Sequence, residues 1–370
     1  MLEKNATLLA GRDALRRLAV AVKERLFHRM SAPNPHKTHR NYYVASRLPL
    51  IIITSEGVQD LALMSECVGA RKAHFIVMFW WSKETATRAK EVRHFYTRHR
   101  TKFPRHDVTF VCNTPGEHEL LKRLHVPSVY CNQNCLLDES RYHIVPGAVR
   151  KYDAVYNGRL EKMKRHLLLV DTPNLALIVG LTPGASADKR AYREHVRAAL
   201  PDAAVLNYSD ARPLRVCDED HFPQIPPEEI SARLGLAHVG VILSREEGAC
   251  YASAEYLLTG LPLVSTPSRG GRDIFFDNEY VEIVADEPGA VARGVRRLIE
   301  RNMPAERVRE GTLRKMQPHR ETFVRLLQSI YDKEGVRFDV RANWESLYTD
   351  KMIRYARRWP DDFLADIGTP

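Results

Sequence analysis

Short apolar, β-branched runs recur along the chain, separated by longer stretches in which apolar residues return at helical spacing. The first four are "LPLIIITS", "HFIVMFWW", "VTFVCN" and "PSVYCNQ"; six more follow as "DAVYNG", "LALIVG", "AAVLNY", "HVGVILS", "LPLVST" and "VEIVA". Runs of this length and composition read as strands buried on both faces, and their regular alternation with helical segments predicts parallel sheets covered by helices. Ten strands fit two sheets better than one. The stretch "VPGAVRKY", residues 145–152, supplies the linker between them. The expected division is a first α/β domain over 41–147, a second over 148–330, and terminal helices over 331–370 that pack back on the first domain.

The pattern at the start is different. "GRDALRRLAVAVKERLFHRM" (11–30) places Arg and Lys between apolar residues at helical spacing, and "SAPNPHKTHRNYY" then breaks it, so residues 1–40 read as a basic amphipathic helix and a linker. This segment carries nine Lys/Arg against three Asp/Glu, which is +6 of the net +10. The helix is either docked on the first domain or rests on anionic lipid headgroups. A duplex-binding protein would carry a basic stripe through its body, and none is present, so nucleic acid is not an expected partner. No secretory signal and no apolar run near the ~20 residues of a membrane span is visible, which sets the expectation of a cytoplasmic protein, peripheral at the inner face of the membrane if the helix binds lipid. Six scattered cysteines without a C-x-x-C pair read as buried, reduced thiols. At 370 residues, a cleft between two domains is the place to look for function.

The candidate chemistry lies at the carboxyl ends of strands, where parallel sheets bind ligands. "VGVILSREEGACYASAEYLLTG" (239–260) is a strand, a polar loop and a helix. It puts Glu247 at the strand end, Gly248 where a backbone can approach a ligand, and the free N–H groups of a helix start near Gly248, Ala249 and Cys250. Glu255 lies two turns along, about 12 Å further. "GLPLVSTPSRGG" (260–271) then offers Gly270 and Gly271 as a second anion-binding turn. "YNGRLEKMKRH" (156–166) places Arg159 and Lys164 just beyond the first strand of the second domain, two cations suited to a diphosphate. Each piece alone has a plainer reading: a first-turn charge, a solvated basic face shared with Lys162 and Arg165, an ordinary glycine turn, or an Arg272–Asp273 pair instead of a ligand contact.

Taken together, Gly158, Arg159, Leu160, Lys164, Glu247, Gly248, Glu255, Gly260, Pro262, Gly270 and Gly271 give the chain a resemblance to the retaining, nucleotide-sugar-dependent glycosyltransferases of GT-B type, the "glycosyl transferases group 1" with an E-x7-E motif. The resemblance covers roughly residues 108–300. It implies two facing Rossmann-like domains with parallel sheets, the N-terminal one reduced to about four strands, and C-terminal helices crossing back. It implies transfer of a hexose-type sugar from a UDP- or GDP-sugar to a hydroxyl of a glycan, lipid-linked or small-molecule glycoside acceptor, with no metal and no other cofactor. Arg159 and Lys164 would hold the diphosphate, Glu247 the sugar hydroxyls and Glu255 the ribose, with Gly158, Gly248, Ala249, Cys250, Gly270 and Gly271 completing the donor site. Where the family often has a histidine after its second strand, this chain has Trp80 and Trp81, which either stack on a sugar or pack under a loop. His118 is a second acceptor-side candidate, and Asn132, Gln133 and Asn134 either touch substrate or cap a turn. The rival readings are a nucleotide-sugar epimerase of the same fold, and a sugar- or nucleic-acid-binding protein or DNA glucosyltransferase.

Overall fold

A computed structural model describes residues 41–55, 58–182, 186–348, 350–352, 354–355 and 358–368; the basic amphipathic helix expected at 11–30 lies outside them. The first sheet contains β1 (Asn41–Arg47), β2 (Leu50–Thr54), β3 (Ala73–Met78), β4 (His106–Cys112), β5 (Ser128–Tyr130) and, from the far end of the chain, β13 (Arg354–Tyr355). Their order is β13-β1-β2-β3-β4-β5, parallel from β2 to β5, with β1 antiparallel to both its neighbours. The first sheet thus has six strands where about four were expected: β1 through β5 from the first domain, and β13 from the C-terminal segment. β1 escapes a pattern reading because "NYYVASR" mixes its apolar residues with polar ones, and β13 is two residues long, paired with Asn41 and Tyr42 across most of the chain.

Period-two alternation gives this sheet two buried faces. Leu50, Ile52, Phe75 and Val77 point one way and join Leu61, Val92 and Leu121 of the helices Val58–Val68, Ala86–Lys102 and Pro115–Arg123. Ile51, Ile53, Ile76 and Met78 point the other way and share a core with Leu136, Phe323 and Leu327.

The second sheet holds β6 (Tyr152–Arg159), β7 (Leu175–Gly180), β8 (Ala204–Val205), β9 (Arg212–Pro213), β10 (Ala237–Ile242), β11 (Leu263–Ser265) and β12 (Val281–Ile283), in the order β12-β11-β10-β6-β7-β8-β9. All its pairings are parallel except β8 with β9. Setting aside the short β9 and counting from β6, this is the 3-2-1-4-5-6 order of a Rossmann sheet. The winding reverses between β6 and β10, and the carboxyl ends of those two strands open a crevice.

The helix Ala305–Lys333 joins the two units. It starts against Gly260 of the second domain and ends with Lys333 donating to Asp107 Oδ2 at 2.7 Å in the first. Pro318 sits inside it, so one turn of the helix lacks its backbone donor. The chain then crosses back to the first sheet, where the helix Asp361–Ile367 sets Phe363 edge-on to Tyr42 at 5.0 Å and Asp366 accepts from the Tyr42 hydroxyl at 2.5 Å. Among the described residues no helix is long and apolar enough to cross a membrane.

Two buried imidazoles make stability depend on pH. Burial, then the neighbouring His106, lowers His99 to about 4; burial, then the Lys164 charge, lowers His166 to about 3. Both pKa values are depressed by folding, so the stabilisation they bring is complete above the unfolded value of about 6.5 and is lost as pH falls toward about 4 and then 3. The thermal midpoint is expected to drop steadily from pH 7 to pH 4.5. In His99→Phe, whose ring suits the surrounding Phe75, Phe95 and Phe103, the fall is expected to be shallower; an identical slope would contradict the assignment.

Candidate active site

At the crevice between β6 and β10, one cation and one carboxylate meet. Lys164 ends the short turn Lys162–Lys164 beyond β6, and its Nζ donates to Glu247 Oε1, which follows β10. Their side chains are only 13% and 8% exposed. The turn is held by the Tyr156 hydroxyl, which donates to the Lys164 carbonyl at 2.6 Å. Arg165 is drawn elsewhere. It adopts a left-handed backbone (φ 55), donates from Nε to the Leu243 carbonyl at 2.5 Å and pairs through Nη1 with Asp286 at 2.7 Å, fastening the ends of β10 and β12.

Among the described residues no hydrogen bond or ion pair joins Arg159 to these two. Its stem lies over Gly180 on the β7 side, where a Cβ would stand 3.0 Å from Arg159 Cγ. Burial pushes the nearby Glu161 carboxyl up, yet the Thr182 hydroxyl and the Arg159 and Lys189 charges together hold it below its ordinary range. Glu255 lies in the helix Tyr251–Leu258, buried, with Asn157 Nδ2 3.4 Å from Oε2 and Lys351 Nζ 3.0 Å from Oε1. Cys250 precedes this helix in a left-handed conformation (φ 58). Burial, then the Glu247 charge, pushes its thiol up to about 12, so it stays protonated and is no nucleophile.

The glycines serve a close approach between domains. A Cβ on Gly248 would stand 2.5 Å from the Trp80 carbonyl oxygen, and one on Gly271 would stand 2.6 Å from Asn113 Cβ. Gly270 adopts φ 102, which admits no ordinary side chain. The Gly271 N–H, expected to face an anion, donates to the Gly248 carbonyl at 2.5 Å. No acceptor takes the N–H of Gly248, Ala249 or Cys250 among the described residues.

Four buried amide side chains complete the contact between domains. Asn132 Oδ1 accepts from the Asn134 N–H at 3.0 Å, capping the turn Gln133–Leu136, while its Nδ2 donates to the carbonyls of Asn113 (3.0 Å) and Gly271 (2.7 Å). Asn134 Nδ2 reaches the carbonyls of Ala249 (2.8 Å) and Cys250 (3.2 Å), and Gln133 Nε2 and Asn113 Nδ2 both donate to the Phe79 carbonyl, at 2.9 and 3.1 Å. Capping thus accounts for Asn132, but these residues also fasten the first domain to both glycine loops of the second. Spacing alone gave no sign of that second role; the only cue was the placing of Asn113 and the "NQN" tract at consecutive strand ends.

The remaining candidates lie around the rim. Trp80 and Trp81, 45% and 38% exposed, sit beyond β3, and near them Arg88 pairs with Glu246 across the domains. His118 Nδ1 bonds Ser128 Oγ at 3.0 Å. Gly158 rests on the Tyr156 ring. Arg272 is fully buried and pairs with Asp273 at 2.7 Å, while also donating to the Ser244 carbonyl (2.6 Å) and Ser265 Oγ (2.7 Å). It is a tie between strand ends. Of the six cysteines, Cys67 and Cys250 are only partly buried; the Sγ atoms of Cys131 and Cys135 lie 3.7 Å apart.

No protein-family model matches the sequence, and no curated protein does. Among solved structures, sucrose-phosphate synthase from Thermosynechococcus elongatus superimposes with a TM-score of 0.53 at 15% identity, over 76% of this chain and 74% of that one. The fold is GT-B. TarM aligns with a TM-score of 0.49 at 14% identity, over 77% of this chain and 55% of that one. The UDP-forming trehalose-phosphate synthase from Burkholderia xenovorans gives 0.48 at 11%, over 75% and 74%. At such identities the likeness is one of fold. The pair Lys164–Glu247 lies on the second domain, and Trp80 and Trp81 lie on the first, at the edge that meets Gly248.

Proposed function

We propose that this GT-B chain is a retaining glycosyltransferase that moves a hexose-type sugar from a UDP- or GDP-sugar to a hydroxyl of a glycan, lipid-linked or small glycoside acceptor. The observation that carries this reading is the meeting of Lys164 and Glu247 where the Rossmann sheet reverses, the position at which such sheets bind nucleotides. An ammonium has three protons. One is held by Glu247, which leaves two for the oxygens of a diphosphate. As the anomeric C–O bond breaks, negative charge grows on that diphosphate, and Lys164 together with the N–H groups of Gly248, Ala249 and Cys250 at the helix start neutralises it. This electrostatic work needs no metal. Glu247, already hydrogen-bonded, receives sugar hydroxyls and does not attack. The acceptor oxygen instead forms its bond to the anomeric carbon on the face the diphosphate leaves, and its proton passes to the departing phosphate oxygen.

Glu255 takes the ribose, while Arg159 contributes from the edge of the site. Trp80 and Trp81 offer stacking surfaces to the acceptor. If that acceptor is lipid-linked, the basic segment 11–30 supplies contact with anionic headgroups at the cytoplasmic face.

Thermal-shift measurements with UDP-, GDP-, ADP- and dTDP-sugars test the donor. One nucleotide class is expected to raise the melting midpoint by several degrees at saturating concentration, and product analysis is expected to show transfer with the anomeric configuration kept. No shift with any donor and no donor consumption would defeat the reading. An epimerised donor formed without acceptor would instead make the protein an epimerase.

A further inference from the structure

The segment after the long helix also reaches the donor domain. The Tyr348 hydroxyl donates to the Leu136 carbonyl at 2.6 Å, its ring stacks on Trp344 at 5.0 Å between centroids, and Met352 is fully buried. These contacts seat the turn Asp350–Met352 at the boundary between domains. From there Lys351, itself in a left-handed conformation (φ 62), sends its ammonium to 3.0 Å from Glu255 Oε1. The same ammonium lies 4.7 Å from the centroid of the Tyr251 ring and 5.4 Å from that of Tyr142. A lysine in this backbone region is strained, a conformation kept where the surroundings over-determine it. The Glu255 side chain is 9% exposed, and a carboxylate so buried is costly unless a cation accompanies it. Among the described residues, Lys351 is the cation that pairs with it.

We propose that Lys351 is a positioning residue for nucleotide recognition: it fixes the Glu255 carboxylate so that the lone pairs left over face the ribose of a nucleoside diphosphate. The inference rests on the donor-site reading above. Its stereochemical basis is a count. A carboxylate offers about four lone-pair sites; Lys351 uses one on Oε1 and Asn157 one on Oε2. Two remain, which matches the two vicinal hydroxyls of a ribose. The C-terminal segment, whose β13 pairs into the first sheet, thereby takes part in reading a nucleotide held at the second.

Calorimetric titration of the full chain with UDP, its 2′,3′-dideoxy analogue and inorganic pyrophosphate tests this, with GDP and dideoxy-GDP used if the donor screen selects guanine. The wild type is expected to prefer the ribose form over the dideoxy form by about tenfold, or ~1.4 kcal/mol. In Lys351→Met that ratio is expected to fall to near one while pyrophosphate affinity stays within twofold. Lys351→Arg is expected to keep most of the preference, and Lys351→Met is expected to add nothing in a Glu255→Gln background. Lys351→Gln serves as the second variant should the methionine form melt early. An unchanged ribose preference in folded Lys351→Met, or an equal loss for all three ligands, overturns the proposal and leaves the donor site standing. Failure of the wild type to bind any nucleoside diphosphate removes the donor-site reading and this inference together.

Discussion

Lys164→Ala is expected to lower the rate of donor consumption by about a hundredfold or more, the loss typical of removing one preorganised donor from a developing anion. Glu247→Ala is expected to do the same: under the proposed function the sugar hydroxyls lose their acceptor, and Lys164 loses the partner that aims it. Stability provides a separate reading of the same pair. Both side chains are nearly buried, and removing one member of such a pair leaves a charge uncompensated at a cost of about 3–5 kcal/mol. The double variant Lys164→Met with Glu247→Gln removes both charges and is expected to melt above either single variant while remaining inactive. Turnover in the double variant at the wild-type rate would place the chemistry elsewhere.

The second large effect is steric. Gly248→Ala puts a methyl 2.5 Å from the Trp80 carbonyl oxygen and 2.8 Å from that of Phe79, and Gly271→Ala puts one 2.8 Å from the Asn113 carbonyl oxygen. These obstacles are backbone atoms, which cannot swing aside as a flexible side chain does. The two domains are therefore expected to be forced apart. Donor turnover should fall by more than about a hundredfold, since a misplacement of about 1 Å already costs that much, and the radius of gyration from small-angle scattering should rise while the circular dichroism spectrum stays unchanged. Gly158→Ala is the control: its methyl would meet the Tyr156 ring at 3.4 Å, an ordinary contact, and the scattering curve should match the wild type. A compact, active Gly248→Ala protein would show that the domain contact is dispensable.

What could be read from the chain follows from the range of the interactions involved. Strands such as β2, β6 and β10 announce themselves by apolar runs, and the E-x7-E and Arg-x4-Lys spacings mark the loops that follow them. Those spacings could bring Lys164 and Glu247 to one crevice because neighbouring parallel strands deliver their carboxyl ends to the same side. They could not say which way Arg159 lies, since that depends on the room left by Gly180 on the next strand. The amides of Asn132 and Asn134 bond carbonyls more than a hundred residues away, and Lys351 bonds Glu255 across 96 positions. No periodicity records such partners. β9 and β13, at two residues each, carry too few side chains to set up a pattern.

The helix Ala305–Lys333 bears on how the cleft between the domains would open. Among the described residues the chain passes between domains at two places: the stretch around residues 145–152, and this helix, whose Pro318 leaves a gap in the backbone ladder beside His319, the acceptor of the Asn132 N–H at 3.0 Å. Two tethers leave a single easy motion, a rotation about the line that joins them. Sliding of one half past the other would stretch one tether or the other. Such a rotation would part the halves like the covers of a book, with the spine along that line and the Lys164–Glu247 pair on an inner page.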